Sequence, residues 1–158
     1  MRMKIFAEIR HGDYGDNFRL SELGRLHLRE LAEKLNPLVG HLCAIVFTSS
    51  AVRASESANF LASTLKTANI SVEECEHLQF DHERAGNTKK SAGRLLELSE
   101  KYDAVIVVTH LELVGGLYPY FAEKYLHKEI FLPPRDDDSV RCGHGYLHDI
   151  ERNTCSTV

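Results

Sequence analysis

The chain has 158 residues, 43% of them hydrophobic and 27% charged, with a formal net charge of −4. Such a length suits one domain, expected over residues 1–158, and the negative balance gives no general attraction to nucleic acid or anionic lipid. No apolar run approaches a membrane span, so neither a nucleic acid nor a membrane is an expected partner. Met1-Arg2-Met3-Lys4 leads straight into an apolar strand without a signal-peptide core, and a cytoplasmic location is expected.

Lys4 to Ile9 reads as a buried strand that runs directly into Arg10-His11-Gly12. Leu23, Leu26, Leu31, Leu35 and Leu38 then recur at near-helical intervals, which predicts an amphipathic helix from Ser21, its cap, to about Asn36, where Pro37 helps to stop it. Ala44 to Phe47 is a second strand, followed by Thr48-Ser49-Ser50. An alanine-rich stripe from Ala51 to Ala68 predicts a helix with Ser50 as N-cap and Arg53 in its first turn. Ile70 to Glu74 is a short strand, and Gln79 to Lys90 is a polar loop. Ser91 to Tyr102 forms a helix, Ala104 to Val108 a strand ending just before His110. A helix with a weak or kinked start follows, marked by Val114, Leu117, Phe121 and Tyr125 after Gly115-Gly116. Pro133 to Asp138 is a charged loop, and one or two antiparallel edge strands are expected between Val140 and Ile150. The alternation predicts a three-layer α/β/α sandwich around a mostly parallel sheet.

Three strands thus deliver Arg10 with His11, Ser50 with Arg53, and His110 to their C-terminal ends. Side by side and parallel, they would bring two guanidinium groups and two imidazoles to one crevice, where open α/β sheets bind ligands. An arginine in the first turn of a helix opposes the helix dipole, which argues for an anion there. A tetrahedral oxyanion such as a phosphoryl group fits that set. Cys142, His144, His148 and Cys155 match no usual zinc spacing. Neither a metal nor a cofactor is expected. The four cysteines lack a paired spacing and are expected as free thiols.

Four segments also resemble the histidine phosphatase superfamily, which includes phosphoglycerate mutases and short phosphohistidine phosphatases. They are Arg10-His11-Gly12 with Asp13 and Asn17, Leu20-Ser21-Glu22-Leu23-Gly24, Thr48 to Ala58 with its Arg53-Ala54 pair, and Val107-Val108-Thr109-His110. The resemblance implies a phosphoglycerate mutase-like fold and a nucleophilic His11 that carries a phosphoryl group covalently. Arg10, Arg53 and His110 would hold its oxygens, with Asn17 at the rim and Ser50 and Glu112 among the substrate contacts. It further implies a general acid, for which Glu83 is the positional candidate and Glu112 a competitor. The expected activity is hydrolysis of a phosphohistidine protein or a small phosphomonoester. A phosphoglycerate-type mutase and a non-catalytic phosphate-binding module are the alternatives.

Overall fold

The computed structural model describes residues 1–80, 86–134 and 141–158. Glu83 and the acidic run Asp136-Asp137-Asp138 lie outside the described residues. The strands are β1 (Ile5–Arg10), β2 (Cys43–Ser49), β3 (Asn69–Cys75), β4 (Ala104–Thr109), β5 (Gly145–Asp149) and β6 (Thr154–Thr157). They form one mixed sheet in the order β3-β2-β4-β1-β5-β6. The first four are parallel, β5 is antiparallel to β1, and β6 to β5. β2, β4 and β1 are therefore adjacent, and their C-terminal ends open on the same side.

The helices are α1 (Glu22–Val39), α2 (Val52–Thr64), α3 (Thr88–Lys101) and α4 (Leu117–Phe121), the last continued by a π-helical turn over Ala122–Leu126. Strand alternation divides the core between the two faces of the sheet. Ile5, Ala7 and Ile9 of β1 pack with Leu28, Leu31 and Leu35 of α1 and Ala54, Ala58 and Leu61 of α2. Phe6 points the other way and joins Leu95 and Leu98 of α3 with Leu117 and Phe121 of α4. The three-layer reading holds.

Several local expectations are corrected. In α1 the buried stripe is Leu28, Leu31, Leu35 and Val39, whereas Leu23 and Leu26 are exposed. Pro37 does not end α1. It sits in the last turn, where the missing amide removes one bond, while buried Val39 and the Gly40 amide on the Asn36 carbonyl carry the helix on. The N-cap of α2 is Ala51, not Ser50, and it makes no side-chain capping bond. α3 begins earlier than expected because Asn87 caps it, its side chain accepting from the Lys90 amide at 2.9 Å. The second edge strand, β6, lies beyond Ile150.

One buried carboxylate secures the far side of the sheet. Glu8 of β1 is fully buried, and its oxygens accept from the amides of Gly115 at 2.6 Å and Tyr118 at 2.5 Å. The Gly115 amide belongs to the segment that leads from β4 into α4 and the Tyr118 amide to the first turn of α4, so Glu8 ties the start of that helix onto β1. Burial pushes the Glu8 carboxyl up to about 7, against the pull of those amides. Among the described residues, no helix is long and apolar enough to cross a membrane.

Candidate active site at three strand ends

His11 follows the last residue of β1 and His110 the last of β4, and both imidazoles are buried. Their ring centroids stand 5.3 Å apart, edge to face. Arg53, one residue into α2, spans them. Its Nε donates to His11 Nε2 at 3.1 Å and its Nη2 to His110 Nδ1 at 3.2 Å. A guanidinium cannot accept, so both of these ring nitrogens carry lone pairs.

The remaining bonds complete the tautomers. His11 Nδ1 donates to the Gly12 carbonyl at 2.9 Å. His110 Nε2 therefore bears its proton and donates to Ser49 Oγ, also at 2.9 Å. His11 is thus neutral, with the lone pair of Nε2 directed at Arg53. Burial lowers its pKa to about 4, the charges of Arg53 and Arg10 adding to the effect while the Gly12 carbonyl opposes it. Such a ring stays unprotonated through the physiological range, as a nucleophile requires.

Local sequence explains how the site is held. The Gly12 amide donates to Ser57 Oγ at 2.9 Å, and that hydroxyl donates in turn to the Arg53 carbonyl at 2.6 Å. One serine therefore locks the residue after His11 to the helical turn that carries Arg53. Ser57→Ala leaves the buried Gly12 amide without this partner and is expected to cost about 1–3 kcal/mol, read as a lower urea midpoint with an unchanged slope. The segment Leu20 to Gly24 has an equally direct role. Ser21 caps α1 by accepting from the Gly24 amide at 3.0 Å and donates to Asp13 Oδ2 at 2.7 Å. A Cβ on Gly24 would lie 2.3 Å from the Asp13 carbonyl oxygen, so only glycine lets α1 approach the strand end this closely.

His11, His110 and Arg53 thus come together. Arg10 stands beside them at the end of β1, close enough for its charge to oppose protonation of His11. Ser50 does not join them; it is exposed and donates to Gln79 Oε1 at 3.1 Å. β2 runs two residues beyond Phe47, the end expected for it, and the buried position falls to Ser49. Asn17 is exposed, and its Oδ1 accepts from the Arg19 amide at 3.1 Å within a local turn. Glu112 is exposed in the turn after His110. Glu83, the positional candidate for the acid, is among the residues not described.

Sequence reasoning passed over Ser49, Ser57 and Tyr14. Tyr14 places its ring 5.2 Å from that of His11, edge to face, and the Arg53 guanidinium lies over it at 5.3 Å. The signal for Ser57 was its position one helical turn after Arg53.

No family model matches the chain, and no curated protein matches it. Solved structures do. The protein histidine phosphatase SixA complexed with tungstate superposes with a TM-score of 0.64 at 18% identity, covering 98% of this chain and 94% of that one. Phosphoglycerate mutase from Plasmodium falciparum gives 0.52 at 17% identity, over 98% and 87%. Phosphoserine phosphatase from Entamoeba histolytica, in complex with 3-phosphoglyceric acid, gives 0.52 at 16% identity, over 99% and 95%. In the six-stranded mixed sheet of the described residues and the helices that flank it, the chain has a phosphoglycerate mutase-like α/β fold.

Proposed function

We propose that this chain is a phosphatase that works through a covalent phosphohistidine on His11. The observation that carries the reading is the pair of neutral imidazoles bridged by Arg53, with His11 Nδ1 committed to the Gly12 carbonyl and Nε2 left as the basic nitrogen. The fold it shares with protein histidine phosphatase SixA supports the same reading.

In the first step Arg53 turns from His11 Nε2 to a non-bridging oxygen of the substrate. Nε2 then attacks phosphorus in line, the Nε2–P bond forming as the bond to the leaving oxygen or nitrogen breaks. Arg10, Arg53 and the Nε2–H of His110, released from Ser49, are the donors available to the equatorial oxygens, where negative charge is held in the transition state. The leaving atom takes a proton from an acid, Glu83 or Glu112. A phosphohistidine substrate asks least of that acid, because a protonated imidazole is already a good leaving group. Water next attacks phosphorus, giving a proton to the carboxylate left by that acid, and the Nε2–P bond breaks with its electron pair returning to Nε2 as inorganic phosphate leaves. Phosphohistidine on a protein surface and small phosphomonoesters are the proposed substrates.

Rapid quenching during turnover of a 32P-labelled phosphomonoester or phosphohistidine peptide tests the proposal. Label is expected on the protein in an acid-labile, base-stable linkage, within the peptide that contains His11. Turnover with the label elsewhere, or with no labelled protein under a measured burst, would remove His11 from this role. Label passed to a second alcohol instead of water would identify a mutase. Phosphate binding without turnover of either substrate would identify the binding module.

A further inference from the structure

The ring contacts of His11 do not end at Tyr14. Tyr14 stacks on Phe18 with centroids 6.0 Å apart and an interplanar angle of 23°. Both rings face solvent, Tyr14 at 36% and Phe18 at 58% exposure. An imidazole at a strand end is thus continued outward by two aromatic faces, the inner one also lying against the guanidinium of Arg53.

The loop that displays them is held firmly. Tyr14 and Leu20 form an antiparallel bridge, the Phe18 amide donates to the Gly15 carbonyl at 2.9 Å, and the Gly15 amide donates to the Arg19 carbonyl at 3.1 Å. Glu56 of α2 clamps the loop's end, accepting from Arg19 Nη1 and from the Leu20 amide, each at 2.8 Å. Glu56 stands one helical turn after Arg53, so a single helix sets both the guanidinium and the aromatic loop. Phe18 itself has a φ of 59°, in the left-handed region that a bulky residue rarely adopts. A strained backbone and four anchoring bonds are spent on presenting an apolar ring to water beside reactive groups.

We propose that Tyr14 and Phe18 form a ledge that selects phosphoryl compounds whose leaving group carries a flat ring, the ring lying on Phe18 while the phosphoryl group enters beside Arg53. The inference deepens the phosphatase reading and rests on it for the orientation of the substrate. A polar or flexible alkyl leaving group would leave both faces wet; an imidazole or phenyl ring would cover them.

Calorimetric binding of three phosphonates tests the ledge without requiring turnover. Benzylphosphonate and a triazolylphosphonate, whose five-membered ring has the size of an imidazole, are compared with ethylphosphonate on wild type and on Phe18→Ala. A ring-bearing compound is expected to bind about tenfold more tightly than ethylphosphonate to wild type, and the advantage to shrink to less than twofold in Phe18→Ala. The ring with the larger advantage identifies the preferred class of leaving group. Equal affinity for all three compounds, no binding of any, or a preference that Phe18→Ala leaves intact overturns the ledge. The phosphatase reading fails separately, through the label on His11.

Discussion

His11→Ala is expected to lower kcat for a phosphomonoester by about 10^4-fold or more, because in the proposed mechanism it removes the atom that takes the phosphoryl group and leaves only attack by water on a positioned substrate. Phosphate binding should survive, since Arg10, Arg53 and His110 remain. Steady-state turnover with inorganic phosphate as competitive inhibitor measures both quantities. A variant that keeps kcat within tenfold of wild type would show that His11 is not the nucleophile. Arg53→Ala is expected to cost about 10^2 to 10^3-fold in kcat, as the loss of a preorganised donor to the transferring group does. Arg53→Lys should recover little of this. Its single ammonium cannot reach two ring nitrogens with fixed forked geometry, as Nε and Nη2 do. The pKa of His11 adds a further signature: kcat/KM should hold on the acid side until pH nears about 4. Removing the Arg53 charge should move that limb upward, since a cation beside the ring opposes its protonation.

The second large effect concerns stability rather than rate. His148 of β5 is buried against Tyr118, with ring centroids 4.1 Å apart, and against Phe6 at 6.0 Å. Burial lowers its pKa from 6.5 to about 4, as it does for His11. A histidine depressed in this way contributes stability that is present above pH 6.5 and is lost as pH falls through about 4, on the order of 3 kcal/mol for each ring. Glu8 acts with the opposite sign. Its pKa is raised from 4.5 to about 7, so its contribution is present below pH 4.5 and lost as pH rises through 7. Between pH 4.5 and 6.5 two histidines outweigh one carboxyl, and the unfolding free energy should rise through that range and level off near pH 7.

Urea unfolding followed by circular dichroism at a series of pH values checks this. His148→Phe keeps a ring against Tyr118 and should flatten the acid limb, gaining up to about 3 kcal/mol on wild type at low pH while differing little near neutrality. Glu8→Gln should be less stable than wild type, because its amide group faces the Gly115 and Tyr118 amides, and its stability should rise more steeply than that of wild type between pH 4.5 and 6.5, where the carboxyl no longer opposes the two histidines. An acid limb of unchanged slope in His148→Phe would contradict the account.

Periodicity and strand-end chemistry make much of this legible in the sequence itself. The apolar runs at β1, β2 and β4 are too short and too β-branched or apolar throughout to be surface helices, and each is followed within a few residues by an arginine or a histidine suited to an anion. Given strands that lie parallel and side by side, Arg10, His11, Arg53 and His110 are expected at one end of the sheet, and the order β2-β4-β1 supplies that condition. Harder to read were features fixed by tertiary contact. Whether Ser49 or Ser50 faces His110 depends on where β2 ends, and one residue reverses the side chain's direction. Pro37 looked like a stop because local rules ignore what Val39 gains by burial. Gly86-Asn87 looked like a loop, whereas the asparagine caps α3. Glu8 was hidden for a simpler reason: in an alternating strand a charged residue suggests an outward face, and nothing in the sequence places the Gly115 and Tyr118 amides opposite it.

The outer strand of the sheet bears on how the protein behaves at high concentration. β3 ends the sheet next to β2, and a terminal strand offers its backbone as a template for self-association. Here it carries Glu73 and Glu74 in succession, with Glu73 gripped by Arg94 Nε and Nη2 at 2.7 and 2.8 Å and Glu74 accepting from Ser55 at 2.5 Å. A second copy adding itself along this edge would bring carboxylates of like sign together and disturb the guanidinium fork. The same acidic pair that helps to fasten β3 to its helices therefore guards the chain against aggregation by strand addition.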